Sequence, residues 1–527
     1  MGALTLKSFP FELRGWDLQK YENLDYTDSF GTNTQIYVLK NQIVQIEIDS
    51  SSDSLNEWIT DKGRVFFDSV FTNFDLYNNK RFKNENKSNL TAVLDTVIKE
   101  LYMLETCYLN QNKNSFLTII FENINLEILN MLNLLKSKND FLNVKKIEKI
   151  SFNNDLENNF TTNLINNNSL MKSNMGIVVS TNTRYEGSNL NLKLKQRFLK
   201  GHFQLFVIGS FINLTFPSHY VGSNINSLKL IIEGNSSICQ AMQHAKNPFF
   251  VLNSQIFKRN ENNFLNYFDT LNKKFNNINI LAPTLCSTGE KFVNKFENVN
   301  KKDFINNNIF YLMNVSSNNF TELNNILNFK FLNYNKNDSS KKKMQNTLIN
   351  SNFIKEDNNF KKLIENTNQI KNYLHIPSKS FYSTNNTFIN TEGIYKRSIK
   401  IIHENNRINS YNFLKKIIKQ IKQNNMFIKK KDLLFLNEKS FNKFENYASF
   451  HYTTTKTLSN LGNLLIQKFK PFKLNKKIYN GKSKINLTKL KYWIDDFFND
   501  GKDEYTTYSK ILSKCSTNIR MNQTNFF

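Results

Sequence analysis

Short apolar runs separated by stretches of helical spacing constrain this chain more than any other feature. Phe116–Phe121, Gly176–Ser180, Leu205–Gly209, Phe249–Leu252 and Phe310–Met313 each have the composition of a buried strand. Leu94, Val97, Leu101 and Leu104 recur at helical spacing, as do the apolar residues from Leu126 to Leu135. Further helices are expected around Leu190–Leu199 and Ile238–Ala245. Strands alternating with helices define an α/β chain of Rossmann-like parallel sheets with helices on both faces.

The first seventy residues follow a different rule. Thr34–Leu39 and Gln42–Ile48 alternate apolar and polar residues at period two, and Lys40-Asn41 fits a tight turn between them. This predicts a β-hairpin, one face of which packs on the next domain. The expected organisation is a β-rich unit over 1–70, an α/β region over 90–400 and a C-terminal helical region and tail over 401–527. The stretches 73–90, 152–174, 258–280, 296–308 and 333–370 are rich in Asn and Lys. They read as surface loops or disordered insertions, or as partner-binding segments.

Composition narrows the functional classes. The formal net charge is +26, which invites a nucleic-acid or ribosome-associated reading. The lysines are dispersed, however, with short runs at Lys341–Lys343 and Lys429–Lys431 and no nucleic-acid-binding signature. Phe (47) is abundant while Gly (15) and Pro (6) are scarce, the bias of an AT-rich genome such as an organelle's. Cys107, Cys239, Cys286 and Cys515 lie far apart, so no zinc or cluster-ligand spacing exists. Dispersed cysteines suit a reducing compartment. No apolar run approaches the roughly 18 residues of a membrane span. Early acidic residues (Glu12, Asp17, Glu22) argue against an Arg-rich transit peptide.

Several blocks carry a family resemblance. Met1–Lys7, Trp16–Leu18, Asp25–Asn33 and Asn56–Arg64 resemble the large iron–sulfur subunits of respiratory complex I. Ser180–Glu186 and Ala245–Leu252 are similar to further segments of that family, as are Asp496–Asp500 and Tyr508–Cys515 at the C-terminal end. Phe388–Gly393 resembles the Asn-x-Glu-Gly-Arg element of molybdopterin oxidoreductases, from which the complex I domain descends.

The resemblance implies a split chain lacking the N-terminal cluster-binding region, with Gly2, Ala3 and Leu4 lying next to a cluster held by a partner. It marks Asn390, Thr391, Glu392 and Gly393 as a structural motif. In cofactor-using relatives an Arg follows this motif, whereas here the position is Ile394. Leu24–Ile48 contains none of the four cysteines that carry an extra cluster in some homologues. The implied role is a structural complex I subunit with no catalytic, cofactor or metal residues of its own. Iron–sulfur clusters are expected on the partner chain. The implied place is the peripheral arm, on the matrix side of the mitochondrial inner membrane. An active molybdopterin oxidoreductase is the alternative from the same resemblance. Locally, the loop after the Gly176–Ser180 strand is expected to be held by Arg184–Glu186 polar contacts, and Pro248 to punctuate a helix-to-strand junction. Cys515 reads as a buried or tail thiol rather than a redox group.

Overall fold

The structure is a computed structural model. It describes residues 13–49, 58–70, 117–138, 142–147, 167–209, 213–253, 256, 278–282, 284–293, 296–299, 309–315, 346–351, 370–375, 378–404, 407–415 and 509–524. Gly2, Ala3, Leu4, the Leu94–Leu104 helix and Asp496–Asp500 lie outside the described residues.

The N-terminal unit is a three-stranded antiparallel sheet of β1 (Gln19–Leu24), β2 (Asn33–Leu39) and β3 (Gln42–Ile48). Lys40 and Asn41 form the predicted turn with φ of 45° and 68°. Positive φ at both central residues matches the right-handed strand twist. Asn41 also bonds both ways with the His403 backbone, donating to its carbonyl at 3.0 Å and accepting from its amide at 2.7 Å. The inward residues Ile36, Val38, Ile43 and Ile46 share a core with Val65 and Phe66, which follow from helix α1 (Asp61–Val65). Phe381, Tyr382, Phe388, Ile401 and Ile402 complete that core from far along the chain.

Two parallel sheets form the α/β part. One has the order β11-β5-β4-β12-β13-β14, built from β4 (Leu117–Phe121), β5 (Leu142–Lys146), β11 (Glu297–Asn298), β12 (Ile309–Met313), β13 (Asn346–Ser351) and β14 (Ile370–His375). The other has the order β10-β9-β6-β7-β8, from β6 (Met175–Val179), β7 (Gln204–Ile208), β8 (His219–Gly222), β9 (Phe249–Asn253) and β10 (Ile278–Leu281). In the second sheet Ile177, Val179, Phe250 and Leu252 pack on one face. Val178, Val207 and Val251 pack on the other. Burial on both faces is why these strands read as continuous apolar runs.

Helices cover both faces of that sheet. After α2 (Leu126–Lys138) and α3 (Asn167–Lys172), the short α4 (Thr183–Glu186) leads into α5 (Ser188–Leu199). Leu190 and Leu194 of α5 enter one core. On the opposite face α6 (Ile225–Glu233) supplies Leu228 and Ile231, and α7 (Ile238–His244) supplies Ile238 and Met242. Each such fully buried aliphatic side chain contributes about 1.5–3 kcal/mol. Pro248 sits between α7 and β9, as its role in punctuation requires.

The β15 (Asn386–Ile389) and β16 (Tyr395–Ser398) hairpin follows, contacted by α8 (Leu285–Val293). The C-terminal helix α9 (Lys510–Thr524) returns to the N-terminal unit, where Leu512 enters the shared core and Cys515 packs against it. Asp68 anchors α9 by accepting the Ile511 amide at 3.0 Å.

Three stretches expected to be loops contain strands: β10 begins at Ile278, β11 lies in 296–308 and β13 lies in 333–370. Their Asn-rich composition hid them, because a pairing strand needs backbone donors and acceptors more than a particular side-chain set.

The turn geometry gives a test. Lys40→Asn keeps the backbone shape with a residue that tolerates left-handed φ, so it should stabilise the full chain by about 0.5–1 kcal/mol in thermal unfolding. Asn41→Gly should gain less or lose, because the two bonds to His403 disappear with the side chain.

Candidate functional site

The loop between β1 and β2, Asp25–Thr32, is polar in composition yet buried throughout. It folds on its own side chains. Asp25 accepts the Thr27 amide and hydroxyl at 2.9 and 2.8 Å, and the Thr60 hydroxyl at 2.7 Å. Thr60 in turn caps α1 by accepting the Gly63 amide at 2.8 Å. Asp28 accepts the Phe30 amide at 3.2 Å. Gly31, at φ +57°, closes the turn where a Cβ would lie 2.9 Å from Leu285.

Two distant segments clamp this loop. From α5, Asn189 donates to Asp28 at 3.2 Å and to the Thr32 hydroxyl. From the β15–β16 turn, the Thr391 amide and hydroxyl donate to the Ser29 carbonyl at 3.0 and 3.2 Å, and the Asn390 amide nitrogen donates to the Phe30 carbonyl at 3.2 Å. Asn390 also shapes its own turn, accepting the Glu392 and Ile394 amides at 3.0 and 2.8 Å, with Gly393 at φ +76°. Glu392 then meets Lys193 of α5 at 2.7 Å, and their side chains are 12% and 2% exposed. The Lys193 ammonium lies over the Phe30 ring at 5.3 Å.

The expected motif Asn390–Gly393 is therefore assembled with Asp25–Thr32, Asn189 and Lys193 into one buried polar junction. Sequence reasoning missed Asn189 and Lys193. The available signal was their spacing of four with Arg197, beside Leu190 and Leu194. That pattern puts a polar stripe next to the apolar face of one helix. Arg197 uses it too, donating to the Ser173 and Gly201 carbonyls at 2.8 and 2.7 Å.

Charge is tightly held here. Burial pushes the Asp28 carboxyl up to about 7, reinforced by the neighbouring Asp25 and opposed by the Phe30 amide, Lys193 and Thr32. Burial also raises Asp25, against the hydrogen bonds from Thr60 and Thr27 and the charge of Lys62.

The second place to search for chemistry is the carboxyl edge of the five-stranded sheet. The chain runs outward from β6 through β7 to β8, then returns to β9 on the other side of β6. The crevice between β6 and β9 is thus a topological switch point, where open α/β sheets bind ligands. Ser180 leaves β6 with φ of 55°, donating its amide to the Ile208 carbonyl at 2.7 Å. At the switch point the Glu186 carboxylate accepts the Asn182 backbone amide and the Asn253 side-chain amide, both at 3.0 Å on the same oxygen. This corrects the expected Arg184–Glu186 contact: Arg184 is exposed and lies 5.6 Å from the Tyr185 ring centroid. Glu186 instead holds the loop through Asn182 and β9.

The comparisons fit this geometry. The molybdopterin oxidoreductase family profile matches residues 78–420, and the chain belongs to that family. Its curated relatives are more particular. It is 28% identical over 314 residues to the "NADH-ubiquinone oxidoreductase 75 kDa subunit" of Reclinomonas americana, covering 55% of this chain and 44% of that one. It is 26% identical to the mitochondrial "NADH-ubiquinone oxidoreductase 78 kDa subunit" of Neurospora crassa, covering 52% and 36%. It is 23% identical to the mitochondrial "NADH dehydrogenase [ubiquinone] iron-sulfur protein 1" of Solanum tuberosum, covering 54% and 37%. The chain spans less than half the length of these relatives.

The family name implies a molybdopterin, and the residues at this crevice do not fit one. A phosphate-bearing pterin needs donors and positive charge, yet Asn182 and Asn253 already serve a carboxylate that would repel it. Ile394, where the cofactor-using pattern has Arg, offers an apolar side chain that is 48% exposed. Among the described residues no group of three or more His, Cys, Asp or Glu side chains is placed to hold a metal ion.

Two tests follow from the junction. Lys193→Met leaves Glu392 half-buried without its ion partner and should cost about 3–5 kcal/mol in unfolding free energy, while adding Glu392→Leu should recover most of it. The raised Asp28 carboxyl holds a proton in the folded state that the unfolded chain releases near its ordinary value of 3.8. Its contribution is therefore full below that value and is lost as pH rises towards about 7. Asp28→Asn should flatten the fall in thermal midpoint across that interval, and an unchanged slope would refute the assignment.

Proposed function

We propose that this chain is a structural subunit of a complex I-type NADH–ubiquinone oxidoreductase, with no redox chemistry of its own. It supports the iron–sulfur region that carries electrons from flavin towards quinone. The observation that carries this reading is the combination of homology to subunits of that oxidoreductase with closure of the switch-point crevice and of the Asn390–Gly393 turn by the chain's own side chains. The switch-point crevice holds Glu186, and the Asn390–Gly393 turn is consumed by contacts to the β1–β2 loop.

The proposed work of the domain is mechanical and dielectric. Iron–sulfur potentials depend on burial, net charge and hydrogen bonds to sulfur, so a rigid neighbour that excludes water sets them without touching an electron. The iron–sulfur clusters of the assembly are carried by a partner chain, since the cysteines here are too dispersed to ligate one. Trp16 and Trp58, 78% and 62% exposed on the N-terminal unit, suit such a partner. The assembly is the peripheral arm on the matrix side of the mitochondrial inner membrane. The mitochondrial names of two relatives support the organelle. No helix among the described residues is long and apolar enough to cross a membrane.

Native purification decides the matter. The chain should comigrate with NADH–ubiquinone oxidoreductase activity, and mass spectrometry should find a companion polypeptide rich in cluster-ligating cysteines. Metal analysis of the isolated chain should return neither molybdenum nor tungsten. A chain purified free of any respiratory assembly, with near-stoichiometric molybdenum or tungsten, would mark an active molybdopterin oxidoreductase instead.

A further inference from the structure

We propose that Glu186 is a built-in anionic ligand: it occupies an oxyanion cradle at the β6–β9 switch point and thereby keeps that crevice closed to phosphate-bearing molecules. This deepens the reading of the chain as a scaffold, and it concerns the crevice alone, whatever assembly contains the chain.

The cradle is built from both sides of the switch. The Asn182 backbone amide comes from the segment after β6, and the Asn253 side-chain amide comes from the end of β9. They converge on one Glu186 oxygen at 3.0 Å each. A reciprocal helix cap would account for the Asn182 bond alone, since the Asn182 side chain also accepts the Arg184 amide at 3.2 Å. It does not account for Asn253, which belongs to a strand beyond the helix and its loop. Two donors reaching one oxygen across a switch point is the arrangement that α/β sheets present to an anionic ligand.

The segments that build the cradle also hold buried polar atoms it does not use. Thr181 Oγ1 and Asn182 Nδ2, in the segment after β6, and Ser188 Oγ, at the start of α5, are buried without hydrogen-bond partners. Thr181 is 1% and Asn182 8% exposed. Buried polar atoms are ordinarily paired, so three orphans within about five residues of Glu186 in sequence leave hydrogen-bonding capacity unused there. Glu186 satisfies the two donors that meet it and presents its own negative charge to any incoming phosphate. The chain thus opposes an incoming phosphate electrostatically.

Removing the side chain should convert the crevice into a binding site. The test uses the full chain in its native assembly, read by hydrogen exchange of the peptide spanning 176–190. In Glu186→Ala the Asn182 amide loses a charge-assisted hydrogen bond, so its exchange should quicken by about tenfold or more. Millimolar acetate, standing in for the missing carboxylate, should slow it again, and inorganic phosphate or pyrophosphate should do the same. The parent chain should respond to none of these anions. Glu186→Gln keeps the shape but removes the charge; it should remain folded and become sensitive to phosphate, which keeps the test decisive where the alanine variant does not assemble. The proposal is overturned if exchange in both variants matches the parent, if neither variant is protected by any of the three anions, or if pyrophosphate protects the parent chain equally. None of these outcomes depends on whether the assembly is a respiratory one, so they are separable from the composition of the native complex.

Discussion

A buried ammonium fixes its surroundings more strictly than any apolar contact. Taking Lys193 and Glu392 out of water costs several kcal/mol per ion, and only close pairing offsets it. The ammonium must lie against one carboxylate and over the Phe30 ring. That single requirement positions α5, the β15–β16 turn and the β1–β2 loop relative to one another. These segments are far apart in sequence and come from different sheets. Hydrophobic packing between them would tolerate sliding; a buried ion pair with flanking hydrogen bonds does not.

The same stretch of chain governs the switch-point crevice. Glu186 ends α4, Asn189 and Lys193 lie one turn apart on α5, and the Thr183 hydroxyl donates to Asn191 at 3.0 Å to hold the two helices in line. Closing the crevice and clamping the N-terminal unit are therefore two ends of one rigid element. Both ends of that element are engaged by the chain's own side chains.

What could be read beforehand follows from which signals survive an Asn- and Lys-rich composition. Phe249–Leu252 and Gly176–Ser180 were legible because strands buried on both faces must be apolar at every position. The Lys40-Asn41 hairpin was legible because alternation and a two-residue gap leave little choice. β11 and β13 were not, since their residues are those of the surrounding loops. Lys193 was hidden for a related reason: in Leu192-Lys193-Leu194-Lys195 nothing local distinguishes it from its neighbour, yet Lys193 is buried and Lys195 is not. The difference lies in Glu392, nearly two hundred residues away. The Asp25–Asn33 block was recognisable as a family motif, but nothing local marks Asp25–Thr32 as a loop buried throughout.

The polarity of that loop has a physical cause. A turn buried among three elements must satisfy every backbone group without water. Asp25 and Asp28 take the Thr27 and Phe30 amides, and the Gly31 amide returns to the Asp28 carbonyl at 3.1 Å. The carbonyls of Ser29 and Phe30 are met by Thr391 and Asn390. An apolar junction of equal volume would strand these groups at about 1–3 kcal/mol each. The carboxylates therefore serve the backbone first, and their own desolvation shows as the upward shift of both aspartates. The charges of Lys193 and Lys62 limit that cost. The geometry of such a junction is specified by pairing rather than by packing alone.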